Sequence, residues 1–452
     1  MLKIGLAKEI ITPPFGADLM GYFNRRPVDG VLDDICVRAM LIEQDGVKAG
    51  FLVFDLCNLL GIDTQIRKAL LGAGIEYAGN LIVSAIHTHT GTRTNAVDVP
   101  TSMGISIAIE GAIRALKRAE RSLAPAEFLY AEGNENPYAF VRRYFMKDGS
   151  VATNPTRCNP DIVGPETDFD RHIRVVGIRQ GGELTALMVN LANHCDTVGG
   201  CKVSADWPGR MEAAIQYALK KDIPVYSMID ASGNINHFKI HENIDQTNYD
   251  EAVRIGRGYA ELVLDIIKDL KPVPEAKLEI SNAKVFIPHR VVSQEQYDAA
   301  KKYLEDTKDI PVRDGDITSE GLTNGDVTTL RFFAQRVLDC HDQSTPGDNC
   351  TISQIRFGKE LAFCSLPGEP FNGISEAIRK ASPFKRNIVV ELAQTFAPYI
   401  PMKECFERGG YEAQPGRNTV APEGAEILIN AVVENFKSNG SFDPNADVMS
   451  ED

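Results

Sequence analysis

The chain has eight histidines in 452 residues, and three of them, His87, His89 and His194, lie just past the ends of apolar runs that read as buried strands. In α/β sheets ligands collect at the carboxyl ends of strands, so these positions are the first candidates for chemistry. The stretch S-A-I-H-T-H-T-G spans residues 84–91. Alternate residues on an extended chain point the same way, so His87 and His89 are expected to face one pocket, with Gly91 permitting a tight turn. Such an imidazole pair suits a zinc site, or one ligand beside one general acid/base; two strand-end histidines bonded to backbone are the plainer alternative. In N-H-C-D-T, residues 193–197, His194 is a candidate ligand and Asp196 a partner that would orient it. In S-L-P-G-E-P-F, residues 365–371, Glu369 can ligate a metal or face a helix dipole, and Pro370 suits a first helical position. Finally, Tyr399 and Tyr411 stand twelve apart in a loop with Pro and Gly. Tyrosine is an uncommon zinc ligand, so residue type alone makes both of them pocket walls.

The elements that must position these residues alternate between strand and helix. Val37 to Ile42 and Ala49 to Leu56 read as strands joined by a hairpin turn in EQDGVK. Asp63 to Leu71 reads as a short helix capped by Asp63, and Asn80 to Ile86 as the buried strand leading to His87. A helix over Thr101 to Ala119 with a Thr or Ser cap follows, then a strand Leu187 to Ala192 before His194. Trp207 to Lys220 and Tyr249 to Leu270 read as helices, with Pro224 to Ile229 a strand between them. This alternation predicts an α/β protein, and the amino-terminal hairpin predicts mixed rather than purely parallel sheets. About 289–345 reads as a helical insertion, with a capping box at Ser293 and Gln296 and a second helix over Val327 to Leu338. Strand character returns over Ile352 to Leu366, and the polar tail after Phe436 is expected to fray.

Composition narrows the partners. The formal net charge of −14 and the scattered basic residues argue against nucleic acid. Nine cysteines, an odd number with no CxxC pair, argue for reduced thiols rather than a disulfide framework. Charged Lys3, Lys8 and Glu9 interrupt the opening residues where a secretory signal would be apolar, and no run approaches the length of a membrane span. No basic amphipathic helix suited to anionic membranes stands out. These features lead us to expect a cytoplasmic protein acting on a small molecule, without membrane insertion.

Taken in order, the motifs resemble the catalytic domain of the neutral/alkaline (non-lysosomal) ceramidase family. The resemblance includes G-x-A-K-x-x-I-T-P-P at 5–14, F-L-V-F-D-L at 51–56, S-A-I-H-T-H-T-G, and R-R-Y-F-M-K-D-G at 142–149. It continues through N-H-C-D-T, L-P-G-E-P-F and the two-tyrosine loop, over about residues 1–415. It implies αββα-like layers, two central sheets flanked by helices, in one catalytic domain over 1–452. It also implies one zinc per chain held by His87, His194, Glu369 and Tyr399, with His89 as the catalytic histidine. Tyr411 would be the second tyrosine near the scissile group, and Arg142 the pocket arginine. The activity implied is hydrolysis of an amide by water activated at the metal.

The departures bear on the substrate. Gly233 to Phe238 match the family's G-D/N-x-S-P-N stretch, but Asn236 stands where the family has serine, and His237 and Phe238 also differ. His237 and His241 stand four apart, which suggests a loop pair bonded to nearby acids rather than a second metal site. The chain lacks length for the family's carboxy-terminal immunoglobulin-like domain, and a secretion signal is not seen. A small soluble N-acyl or amide substrate is therefore expected rather than membrane ceramide. The alternatives are a zinc esterase or lactonase on the same scaffold, a true ceramidase, and a non-catalytic binding protein that retains the fold.

Overall fold

Apolar residues that alternate along short strands build two main sheets, and the pleat decides which core each residue joins. The computed structural model describes residues 1–313, 317–343, 345–394, 398–415, 417–438 and 442–445. The larger sheet has nine strands. Its order runs Val225–Ile229, Glu183–Leu191, Ile173–Gln180, Ala124–Gly133, Lys3–Ile10, Cys36–Gln44, Val47–Phe54 and Leu81–Ala85, with Lys271–Pro272 also paired to Ala124–Gly133. Its centre is antiparallel, and the outermost pair at each end is parallel. The smaller sheet orders Leu278–Pro288, Gly347–Phe357, Leu361–Ser365 and Asn387–Val390, its last pair parallel.

The two sheets pack face to face. Along the smaller sheet, Phe363, Ile388 and Val390 turn to the core of the large sheet, while Ala362, Cys364 and Val389 turn the other way, as a period of two requires. Phe363 meets Phe51 edge-on at 4.9 Å between ring centres, and Phe357 meets Phe128 at 4.9 Å. Each such buried ring is worth about 1.5–3 kcal/mol over exposure. Helix Val99–Arg121 lies on Lys3–Ile10, where a Cβ on Gly5 would fall 1.8 Å from the Ala119 carbonyl oxygen. Helices Asn372–Ala381 and Gly424–Asn435 bury Ile374, Ile378, Leu428 and Val432 against the opposite face of the smaller sheet. The result is one large domain of mixed sheets flanked by helices, in the layered order expected.

Most local signals act where the sequence places them. The hairpin turns on Asp45 and Gly46, both left-handed at φ 53° and 84°, the conformation a two-residue Asp-Gly turn needs. The Ser293–Gln296 capping box forms at the start of helix Gln294–Asp306, and helix Val327–His341 follows. Two caps differ from expectation. Helix Asp63–Gly72 starts after Ile62 with no side-chain cap, so Asp63 sits inside the first turn. Helix Val99–Arg121 is capped by Asp98, which accepts from the Thr101 N–H; Pro100 occupies the first turn, so the chain enters helix earlier than the apolar pattern suggests. Of the polar tail expected to fray, residues 439–441 and 446–452 lie outside the described residues.

Candidate metal site

Parallel strands end on one side of the molecule, and the chain leaving them carries the candidate residues. The backbone after Leu81–Ala85 does not stay extended. His87 has φ 72°, an unusual left-handed value for a residue with a side chain, and its N–H donates to the Leu56 carbonyl at 2.9 Å. The expectation that His87 and His89 face one way because the strand continues is therefore corrected. They meet because the chain reverses, with their Nε2 atoms 3.3 Å apart. His87 Nδ1 donates to the Cys57 carbonyl at 2.8 Å, which fixes the ring and turns Nε2 into the site.

His194 follows Glu183–Leu191, and its carbonyl accepts from the Trp207 indole N–H at 2.9 Å. Glu369 follows Leu361–Ser365, and its backbone pairs in parallel register with Tyr399. A close approach holds this turn, since a Cβ on Gly233 would lie 2.3 Å from the Glu369 carbonyl oxygen. The three residues converge: Glu369 Oε2 is 3.5 Å from His87 Nε2 and 3.4 Å from His194 Nε2. Ligand atoms of His87, His194 and Glu369 all lie within 4.8 Å of one another, and all three residues are buried. Cys57, His87 and His89 form a second such group. There Cys57 Sγ lies 3.7 Å from the Nδ1 that His87 already uses, while His89 approaches Nε2, so the first group has the better-directed donors.

The electrostatics fit a cation. Glu369 Oε2 is buried with no hydrogen-bond partner, and a bare buried carboxylate oxygen is costly without a counter-charge. Burial works against its ionisation, yet His87 and His194 outweigh it and hold the Glu369 carboxyl well below the ordinary range. Burial and the adjacent Arg142 push His194 down to about 4, which keeps its imidazole neutral. Burial works against a charged His87, but Cys57 and Glu369 outweigh it and raise it well above its ordinary value, so a divalent cation would take the place of that proton. Two imidazoles and an ionised carboxylate are donor types that divalent zinc takes. Among the described residues, this donor set fits a divalent metal such as the one the family resemblance implies.

The remaining predicted residues surround the group. His89 is pushed down by burial first and by His87 next, and its Nδ1 has no hydrogen-bond partner. Its position is clamped: its N–H donates to the Cys195 carbonyl at 3.1 Å, and its carbonyl accepts from Arg26 at 2.5 Å. A Cβ on Gly21, at φ 111°, would strike the His89 ring at 2.5 Å. The Tyr399 and Tyr411 rings are 6.2 Å apart. Arg142 stacks 5.0 Å from the Tyr399 ring, donates through Nε to Glu412 at 2.7 Å, and brings Nη1 within 3.2 Å of His194 Nε2. Burial keeps both phenols protonated by raising them above their ordinary value.

Asp196 does not orient His194. It lies 3.2 Å from His237 Nδ1, and His237 Nε2 donates to the Gln246 carbonyl at 2.7 Å. One nitrogen is committed to a carbonyl and the other faces a carboxylate; burial opposes charge on His237, but Asp196 outweighs it and raises His237 above its ordinary value. Among the described residues His237 joins no metal group. Asn236 donates to Asn154 Oδ1 at 2.8 Å and accepts from the Phe238 N–H, so it braces the loop. The residues that motif reading missed are Arg417, Glu412 and Gly21. Arg417 stands 5.0 Å from the Tyr399 ring and 5.1 Å from Tyr411, and Glu412 joins Arg142 to Arg143. Only the position of Glu412 beside Tyr411 hinted at any of them. An open cleft of about 480 Å³, lined by Asp29, Val198, Lys202, Thr247, Asn248 and Tyr249, contains none of the site residues.

Comparison with known proteins gives a fold. No protein-family model matches the chain, and no curated protein sequence does. The crystal structure of neutral ceramidase from Pseudomonas aeruginosa matches with a TM-score of 0.72 at 16% identity, covering 98% of this chain and 76% of that one. A ceramidase complexed with C2 matches at 0.71 and 17% identity, covering 98% and 77%. Among the described residues no helix is long and apolar enough to cross a membrane. At these identities the likeness is one of architecture, and the chain has the neutral ceramidase fold.

Proposed function

We propose that the chain is a zinc-dependent hydrolase that cleaves the amide bond of a small N-acyl compound. The observation that carries this reading is the convergence of His87 Nε2 and His194 Nε2 on the unpartnered Oε2 of Glu369. Tyr399, in register with Glu369, would complete the set. A zinc ion held by these residues would lower the pKa of a water towards ~7 and polarise a carbonyl oxygen. The protein's own groups supply the rest. His89, neutral because burial and His87 hold it down, can accept a proton from the attacking water and return it to the leaving nitrogen. Tyr411, protonated, can donate to the oxygen that gains charge as the carbonyl becomes tetrahedral. Arg142, fixed by Glu412, orients Tyr399 and the substrate beside it. The neutral ceramidase fold supports amide cleavage as the reaction class.

The test is hydrolysis of a panel of short N-acyl amides and matched esters by wild type and His89→Gln. We expect amide turnover that is abolished by chelation, restored by zinc, and reduced about 10²–10⁴-fold in the variant. A variant that hydrolyses amides as fast as wild type would remove His89 from the mechanism. Absence of turnover by zinc-loaded wild type on the whole panel would leave a binding protein.

A further inference from the structure

Arg417 has a surplus of donors. Its guanidinium is enclosed by three aromatic rings, at 5.0 Å from Tyr399, 5.1 Å from Tyr411 and 5.1 Å from Phe23. Ring faces accept the flat face of the cation, but its in-plane N–H groups need oxygen acceptors. It reaches the Tyr399 phenol, yet its Nε is buried with no hydrogen-bond partner, and among the described residues no carboxylate forms an ion pair with it. A second donor is stranded beside the same ring. Arg142 lies 5.0 Å from Tyr399 on its own side, spends Nε on Glu412, and leaves Nη2 buried without a partner. Two guanidiniums, each with a buried and unfilled N–H group, around one tyrosine are costly unless an acceptor arrives with the ligand.

The surrounding rings limit what that ligand can be. Helix Val327–His341 roofs them: Phe332 meets Phe23 at 4.7 Å and Phe333 meets Tyr411 at 5.9 Å. A planar two-oxygen anion matches a guanidinium edge better than a single-point acceptor does. The aromatic walls in turn suit a short apolar body attached to it.

We propose that Arg417, assisted by Arg142 Nη2, forms a carboxylate subsite, so that the compound cleaved is a small N-acyl amide carrying a carboxylate, such as an N-acylated amino acid. The inference rests on the hydrolase reading for the word "cleaved", but the subsite is tested by binding alone. A competing role for Arg417 is to favour the ionised form of Tyr399 as a metal ligand; it predicts lost zinc rather than lost acid preference.

The experiment is isothermal titration calorimetry on the full chain with phenylacetate and hexanoate, each against its alcohol (2-phenylethanol, hexan-1-ol). Zinc content is measured on the same samples. We expect wild type to bind the acids roughly ten- to hundredfold tighter than the alcohols, as a charge-assisted pair implies. Arg417→Gln should keep its zinc and lose that preference, and Arg417→Lys should retain part of it. Equal or no binding of acids and alcohols by wild type overturns the subsite, as does an acid preference that survives in a folded Arg417→Gln. Loss of zinc in Arg417→Gln with the preference intact assigns the residue to Tyr399 instead. Zinc-free wild type that still prefers acids through Arg417 would uphold the subsite and sink the hydrolase reading.

Discussion

Replacing Gly21 with alanine should separate metal binding from proton transfer. The new Cβ would lie 2.5 Å from Cγ, 2.7 Å from Cβ and 2.9 Å from Cα of His89. Carbon atoms settle at about 3.5–4.0 Å, so the imidazole must retreat by about 1 Å. It has little room, because its backbone is tied to Cys195 and Arg26 and its ring meets Tyr22 edge-on at 5.3 Å. The φ of 111° adds a conformational cost for alanine of about 1–2 kcal/mol. A misplacement of about 1 Å in a catalytic group costs of the order of 10²-fold in rate. The three nearest Cβ contacts are all with His89, so the strain falls first on that residue rather than on His87, His194 or Glu369. The assay is kcat/KM on the best amide substrate together with zinc per chain and the thermal midpoint. The expectation is zinc unchanged, a modestly lower midpoint, and activity down about 10²-fold. Activity within about threefold of wild type, in a protein that keeps its zinc, would refute the role given to His89.

Two further predictions concern stability. Arg38 is buried between Asp55 at 2.7 Å and Glu212 at 2.5 Å, so Glu212→Ala should strand part of its charge and cost about 3–5 kcal/mol, read as a lowered urea midpoint; an unchanged midpoint would contradict this. Asp170 bonds His172, Arg174 and Arg379; burial opposes its charge, but the two arginines outweigh burial and hold the carboxyl at about 2. Because the folded value lies below the unfolded ~3.9, its stabilisation is complete above about pH 4 and lost as pH falls towards 2. Discounted for screening, Asp170→Asn should cost about 1–2 kcal/mol at pH 7 and progressively less below pH 4, by urea unfolding at both; an equal loss at both pH values would contradict the ion-pair account.

The histidines, Glu369 and the order of elements were legible because strand ends, Gly-Pro turns and apolar periodicity are local signals. His87 shows the limit of that reading. Its pairing with His89 was foreseen, but for a conformation it does not adopt, since a left-handed histidine has no sequence signature. Tyr399 became a candidate ligand through resemblance alone; only its register with Glu369 gives it a structural place beside the metal group. Arg417 and Gly21 were invisible because their importance lies in contacts across more than sixty residues of chain, to Phe23 and to His89. Asp196 was assigned to its neighbour in sequence, His194, whereas the fold gives it His237, about forty residues on. Buried ion pairs of this kind are set by packing, and local pattern carries no trace of them.

The most direct test of the account is metal per chain by elemental analysis, on wild type and His194→Ala purified side by side without added metal. The account predicts about one zinc per wild-type chain and little in the variant, as a single-metal catalytic site requires. No metal in either after reconstitution with zinc, or equal zinc in both, would contradict the site built on His87, His194 and Glu369.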